Sequence, residues 1–317
     1  MTSHLIAIAL GLAIDRIIGD PPNWPHPVRW IGTVIKRLTG RWNQGTNAFR
    51  NGFWLLGTVA VIVFLLVYAV VFWAYSLNAI LGITVEALLI ASGLAQRSLK
   101  DAAMDVYNPL MNKNMVLARE KLSWIVGRDT DGLNESEITR GVVETVSENT
   151  SDGVTAPLFW AFLLGAPGLW LYKSVNTLDS MVGYQNEEFE QFGFASAKTD
   201  DILNFIPSRL TGFLILVMTP NKRSLTMRQR FKEWLRDAPK HPSPNSGWLE
   251  AATAVQLGIE LGGLNRYRGV ESLRARMGTP VYPLEAHHIK EAVGHMQLVT
   301  IGFFILLTLG GILLGIA

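Results

Sequence analysis

Three stretches of the chain set acidic and basic side chains beside one another at spacings suited to handling phosphate and metal. In 140–153 (RGVVETVSENTSDG), Arg140, Glu144 and Glu148 fall at i, i+4 and i+8, one face of a helix. Asp152 follows the turn-prone Asn149-Thr150-Ser151. Stacked carboxylates repel by on the order of a few tenths of a kcal/mol per pair unless a cation neutralises them. Arg140 can serve one of them, and a Mg2+ ion sharing substrate phosphate oxygens can serve the rest. A solvated acidic helix end is the plainer alternative.

In 173–184 (KSVNTLDSMVGY), Lys173, Asn176 and Asp179, with Ser180, share a helix face at the end of an apolar run. A charge buried there is costly and usually functional; a Lys173–Asp179 pair at the membrane surface is the structural alternative. In 198–209 (KTDDILNFIPSR), the adjacent Asp200 and Asp201 either ligate metal or cap the following helix. Arg209, in apolar surroundings, suits phosphate geometry.

Other polar positions have plainer explanations. The N-terminal GDPPNWPHPV (19–28) is rigid, and a membrane-surface turn anchored by Trp24 and Trp30 accounts for most of it, Asp20 and His26 being its titratable members. In 245–269, Ser246 can cap a mildly apolar helix and leave N–H groups for an anion, though small-residue packing explains the same alanines and glycines. His287-His288 has no spaced partner for a metal and is expected on a solvated helix face. There is no G-x-x-x-x-G-K-[ST], no strand-linked G-x-G-x-x-G and no H-E-x-x-H. Nothing points to nucleic acid.

The elements that must position these groups are membrane helices. The 317 residues are 49% hydrophobic and 17% charged, against about 25% charged in a soluble domain. The absence of cysteine excludes zinc–thiolate sites, iron–sulfur clusters, thiol nucleophiles and a disulfide scaffold. Residues 53–82 and 298–317 carry no charge and are long enough to cross a bilayer. Residues 5–14 read as a retained first helix, 83–96 as a further one, and 154–178 and 205–219 as apolar segments broken by Gly and Pro.

Segments 20–52, 97–153 and 220–295 hold 24 of the 28 Lys and Arg residues, which makes them cytoplasmic loops. Charge counting places 179–200 outside, whereas a re-entrant hairpin at GAPG (165–168) would return it to the cytoplasm. The stretch 237–247, with three prolines, is the most linker-like, and no segment shows convincing strand alternation. The expected fold is an all-α polytopic integral membrane protein, one domain over 1–317, with roughly five to eight membrane helices.

Taken in order, the clusters resemble the CbiB/CobD family of membrane-bound adenosylcobinamide-phosphate synthases. The likeness runs through DRIIGDPPNWPHPV (15–28), LAREKLSWIVGRDT (117–130), VETVSENTSDGVTAPLFW (143–160) and GAPG (165–168). It continues through NTLDSMVGY (176–184), ASAKTDDILNFIPSRLT (195–211) and SPNSG with its following EAA (243–252). Trp248-Leu249 departs from the proline that family members more often carry before the glutamate.

The resemblance implies ATP-dependent amide formation between adenosylcobyric acid and (R)-1-aminopropan-2-ol phosphate, with Mg2+, at a bacterial inner membrane with the active site facing the cytoplasm. Membrane embedding would fit the passing of a large corrinoid to a membrane-bound next enzyme, and a complex with cobalamin synthase is the hypothesis that follows. An acyl-phosphate route needs metal and cations around the transferred phosphoryl group. Asp179, Asp200, Asp201 and Glu148 are nominated for the metal, and Arg128, Lys173 and Arg209 as cations. Glu144 or Asp152 would be the base. Arg97, Asn176, Tyr184, Asn204 and Asn245 would position substrate. A corrinoid-binding sensor, like the distant relative AmpE, or a transporter is the rival class.

Overall fold

The computed structural model describes residues 2–21, 25–184 and 186–313; Trp24, the expected anchor of the N-terminal turn, lies outside them. In chain order the helices begin with α1 (Thr2–Ile17), α2 (Pro27–Trp42), α3 (Ala48–Leu77) and α4 (Ala79–Ala91). Then come α5 (Gln96–Met111), α6 (Met115–Ser123), α7 (Glu135–Thr150) and α8 (Ala156–Val182). After these follow α9 (Phe194–Leu203), α10 (Phe205–Met218), α11 (Met227–Asp237) and α12 (Ser246–Leu257). A hairpin of β1 (Leu261–Tyr267) and β2 (Val270–Met277) precedes α13 (His287–Leu313).

Among the described residues, four helical stretches are long and apolar enough to cross a membrane: Gly45–Leu77, Ala79–Met111, Glu135–Val182 and His287–Leu313. A fifth arises if α9 and α10, bent by 44° at their junction, count as one span. The polytopic all-α expectation therefore holds, at the low end of its helix range. The chain divides into two compact units, the first made of Met1–Arg97, Asp152–Asn204 and Leu307–Ala317, the second of Ser98–Ser151 and Phe205–Leu306.

In the first unit α3 packs on α4, α8 and α9, and α1 packs on α4. The seams use small residues: a Cβ at Gly52 would lie 2.0 Å from the Phe192 carbonyl oxygen, so only glycine permits that approach. GAPG breaks α8 as the sequence suggested. Gly165 has φ 68 and ψ −162, a region essentially restricted to glycine. The freed Ala166 N–H donates to Glu86 Oε1 at 3.1 Å. Glu86, fully buried, also meets His4 Nδ1 at 2.8 Å and the Tyr75 hydroxyl at 2.8 Å. In the sequence this carboxylate is a single acid within an apolar run, with no local sign of its partners.

The core of the second unit is α12, buried at every residue but Trp248 and packed by α7, α10 and α11, as befits a helix apolar on all sides. Three expectations are corrected here. The 261–277 segment forms an antiparallel hairpin where no strand was foreseen. Its two-residue turn has Arg268 at φ 53 and Gly269 at φ 79, the positive-φ pair of a type I′ turn, and the alternation in SLRARM was hidden among basic residues. Ser246 does not cap α12: the N-cap position is Asn245, whose side chain makes no capping bond to the helix. The linker-like 237–247 is packed, because Asp237, 1% exposed, binds Arg236, Lys240 and the Gly278 N–H.

Candidate functional site

The chemistry-bearing residues collect into one cluster in each unit. In the first unit the scaffold is α8, which continues from α7 through a π-helical turn at Ser151–Thr155. The expected turn at 149–151 is thus helical, and the side chains of Asn149 and Thr150 bond back to the carbonyls of Thr145 and Val146. Such π-turns recur at functional sites, and this one carries Asp152. Two turns into the second half of α8, Lys173, Asn176 and Asp179 share a face as the spacing demanded.

The partner element is the end of α9. Asp200 is buried and accepts from Asn176 Nδ2 at 3.3 Å and from Asn204 Nδ2 at 3.0 Å. Asn204 in turn accepts from the Tyr172 hydroxyl at 2.9 Å, which also reaches the Asp152 carbonyl at 3.4 Å. Asp152, Asp179 and Asp200 all act electrostatically on Tyr172, and Asp152, Asp20 and Asp200 on Lys173. Asp179 packs against Gly183, where a Cβ would fall 2.0 Å from its Oδ1, so the carboxylate occupies space only glycine leaves. Asp152, Lys173, Asn176, Asp179, Asp200 and Asn204, from three separate stretches of the sequence, are therefore neighbours, with Tyr172 among them.

Three nominated residues of this unit stand apart. Asp201 does not cap α10; it lies in the last turn of α9 and pairs with Lys198 at 3.2 Å. Tyr184 is exposed, its ring 6.5 Å from that of Phe189. Arg97 closes on the N-terminal DR motif, with Nη1 3.4 Å from the Ile17 carbonyl. Asp15 of that motif is buried and accepts from the Gln96 N–H at 3.1 Å, which satisfies a first-turn donor of α5.

In the second unit α7 starts with a capping box, Asn134 and Glu137 bonding reciprocally, which fixes the register of its Arg140–Glu144–Glu148 face. Glu144 is buried and clamped. Arg128 Nη2 bonds its Oε2, the Gly262 N–H donates to its Oε1 at 2.9 Å, and Arg140 Nε lies 4.0 Å away. Arg128 also bonds Asn265, while Arg140 bonds the carbonyls of Gly262 and Leu264. These residues tie β1 to α7.

Glu148 accepts from Ser246 Oγ at 2.8 Å. Asn245 Oδ1 accepts from Arg209 Nη1 at 3.2 Å. Arg209 further donates to the carbonyls of Phe205 and Pro244, and stacks 3.5 Å from the Phe205 ring and 4.8 Å from that of Trp248. Its donors are largely spent on holding this corner together.

Deeper in the same unit is a further acid–histidine pair. Glu250, 1% exposed, sits with Oε1 3.5 Å from His241 Nε2, and neither atom has a hydrogen-bond partner among the described residues. Burial first, then the charges of Glu144 and Glu148, push the Glu250 carboxyl well above its usual range. Burial likewise lowers His241. The EAA motif held the signal for Glu250, whereas His241 was hidden in the apparent linker.

The donor sets differ in what they can hold. The first cluster offers carboxylate and carboxamide oxygens with a lysine beside them, the all-oxygen chemistry that suits Mg2+. Glu148, nominated with the aspartates, belongs to the second unit.

Comparison with known proteins agrees with the resemblance. The profile of the family described as CobD/Cbib protein matches residues 8–296. A cobalamin biosynthesis protein CobD of Halalkalibacterium halodurans is 50% identical over 308 residues, covering 97% of each chain. A cobalamin biosynthesis protein CbiB of Salmonella paratyphi B is 45% identical over 269 residues, covering 84% of each. A CobD of Clostridium perfringens is 45% identical over 267 residues, again covering 84% of each. No solved structure matches the chain. With the match running almost end to end, the chain is a member of the CobD/CbiB family.

Proposed function

We propose that this multi-pass membrane protein is a cobalamin-biosynthesis enzyme that joins adenosylcobyric acid to (R)-1-aminopropan-2-ol phosphate with ATP, at the cytoplasmic face of the bacterial inner membrane. The observation that carries the reading is the oxygen-lined cluster of Asp152, Asp179 and Asp200 beside Lys173, in a chain matching the family over residues 8–296.

A carboxylate is a poor acyl donor toward an amine, so it must be activated. The corrinoid propionate oxygen attacks the γ-phosphorus of ATP, giving an acyl phosphate and ADP. The amine of the second substrate, having lost its ammonium proton, attacks the acyl carbon, and inorganic phosphate leaves with the former carboxylate oxygen. Asp179 and Asp200 would hold Mg2+, which supplies charge neutralisation for the transferred phosphoryl group. Lys173 adds a point charge to the same oxygens. Asp152, on the π-turn, takes the ammonium proton.

Asn176 and Asn204 hold Asp200 in place, and Arg97 and Tyr184 remain candidates for contacts to substrate. In the second unit, Glu144 is engaged by guanidinium groups and is a poor base, so its role, with Arg128, is to hold β1. Arg209, Asn245 and Glu148 shape the α10–α12 corner that would meet substrate amides. A complex with cobalamin synthase, testable by co-purification in mild detergent, would pass the membrane-held corrinoid onward.

The test is the product mass after detergent-purified protein is incubated with adenosylcobyric acid, aminopropanol phosphate and Mg-ATP. Adenosylcobinamide phosphate with equimolar ADP is expected. AMP in place of ADP would replace the acyl phosphate by an acyl adenylate. Corrinoid binding by folded protein without product would overturn the reading in favour of a sensor or transporter.

A further inference from the structure

Three of the six histidines in the chain lie within residues 287–295, at the start of α13. A solvated face was expected for His287-His288, yet His288 is 1% exposed. The spaced partner that seemed missing is Glu291, one helical turn on. We propose that His287, His288 and Glu291 form a binding site for a first-row transition-metal ion of the zinc class, separate from any Mg2+ used in the reaction.

Each of the three side chains offers a ligand atom, and these atoms lie within 4.8 Å of one another. Metal–nitrogen and metal–oxygen bonds of about 2 Å put neighbouring donors a little over 3 Å apart, so modest side-chain rotation closes the set. The His288 ring is already oriented: its Nδ1 is 3.1 Å from the Glu285 carbonyl oxygen. The Glu285 N–H also lies 3.1 Å from this Nδ1, so the backbone of Glu285 engages Nδ1 and Nε2 is the nitrogen left for a metal. Two imidazoles and one carboxylate, with no thiolate, favour Zn2+, Co2+ or Ni2+ over Mg2+.

A second observation concerns the neighbouring cavity: His287 and His288 line one with Lys222, and Glu291 lines the next. One turn beyond Glu291, His295 is 7% exposed and its Nδ1 has no hydrogen-bond partner among the described residues; Glu291 Oε2 is also buried and unpartnered. Glu291 and His295 line one cavity of about 300 Å3 together with Lys222. Buried polar atoms are normally paired, and two orphans on one face mark room for a cation. At present Lys222 Nζ pairs with the other Glu291 oxygen. An entering dication takes over that neutralising role and displaces the ammonium.

The experiment uses untagged full-length protein in detergent, stripped with chelator, then titrated with Co2+ as an absorbing probe and with Zn2+ in competition. One Co2+ per chain, displaced by Zn2+, is expected. His288→Ala and Glu291→Gln should each weaken binding by at least about 10-fold, the effect of losing even a second-shell partner. Lys222→Met should strengthen it several-fold by removing the competing ammonium, and His241→Ala should leave it unchanged. Should His288→Ala fail to fold, His287→Ala, at a half-exposed position, decides the point with the same expected loss. Stoichiometric binding untouched by these substitutions, or no Co2+ spectrum from folded protein at millimolar metal, would overturn the proposal.

Discussion

The two polar clusters use the same residue types and differ in what faces the carboxylates. In the first unit Asp200 is met by two carboxamides, Asn176 and Asn204. Neutral donors orient its oxygens but leave the charge of the aspartate group largely in place, with Lys173 the cation acting on it. In the second unit Glu144 is met by Arg128, by Arg140 and by a backbone N–H. Guanidinium forks cancel the charge and fix the geometry. An under-neutralised carboxylate group is poised to take a cation, whereas a fully paired one holds secondary structure together.

That contrast separates activity from stability, and Asp200→Ala tests the first half. Asp200 would hold the Mg2+ that neutralises transition-state charge, and losing such stabilisation costs about 100-fold or more in rate. We expect synthase turnover to fall by at least that factor while the thermal midpoint stays within a few degrees. A large loss of stability with turnover per folded molecule unchanged would place Asp200 among the structural carboxylates.

Glu144→Ala tests the second half. Removing one partner of a buried ion pair strands the other, typically at about 3 kcal/mol, and here it strands Arg128, whose side chain is 7% exposed. The thermal midpoint should drop by several degrees, with hydrogen exchange rising first at β1. A variant as stable as the parent but catalytically dead would return Glu144 to the role of base.

What was legible in the sequence follows from the range of the forces involved. Arg140–Glu144–Glu148 and Lys173–Asn176–Asp179 are set by helical period alone, and the structure keeps both on one face. The GAPG break was legible because Gly165 needs a backbone conformation other residues avoid. Partners brought from far along the chain were not legible: Tyr172 with Asn204, Glu86 with His4, His241 with Glu250. The hairpin turn at Arg268-Gly269 hid in a basic stretch, and Pro-rich 237–247 looked like a linker because its burial depends on contacts such as Asp237 with Gly278. Paired and unpaired carboxylates look alike in sequence, which offers Glu144 as a base and gives no sign of the Arg128, Arg140 and Gly262 partners that engage it.

Glu250 sharpens the comparison, since it is a carboxylate of the second unit that no guanidinium satisfies directly. Burial and the neighbouring Glu144 and Glu148 charges raise it well above the ordinary value of 4.5, so the fold favours its protonated form. A group raised on folding contributes stability that is complete below its unfolded pKa and is lost as pH climbs through the folded one. The protein should therefore lose stability between about pH 5 and its upper working range, where the carboxyl must either ionise in place or stay protonated against solvent. Glu250→Gln, which keeps the shape and cannot ionise, should raise the thermal midpoint by about 2–4 °C per kcal/mol recovered at pH 8 and change it little at pH 5. An equal shift at both pH values would mean that the effect is packing. No shift at pH 8 would mean that His241, 3.5 Å away, carries the proton and neutralises the carboxylate as an ion pair, which would make this corner of the second unit as fully paired as the Glu144 clamp.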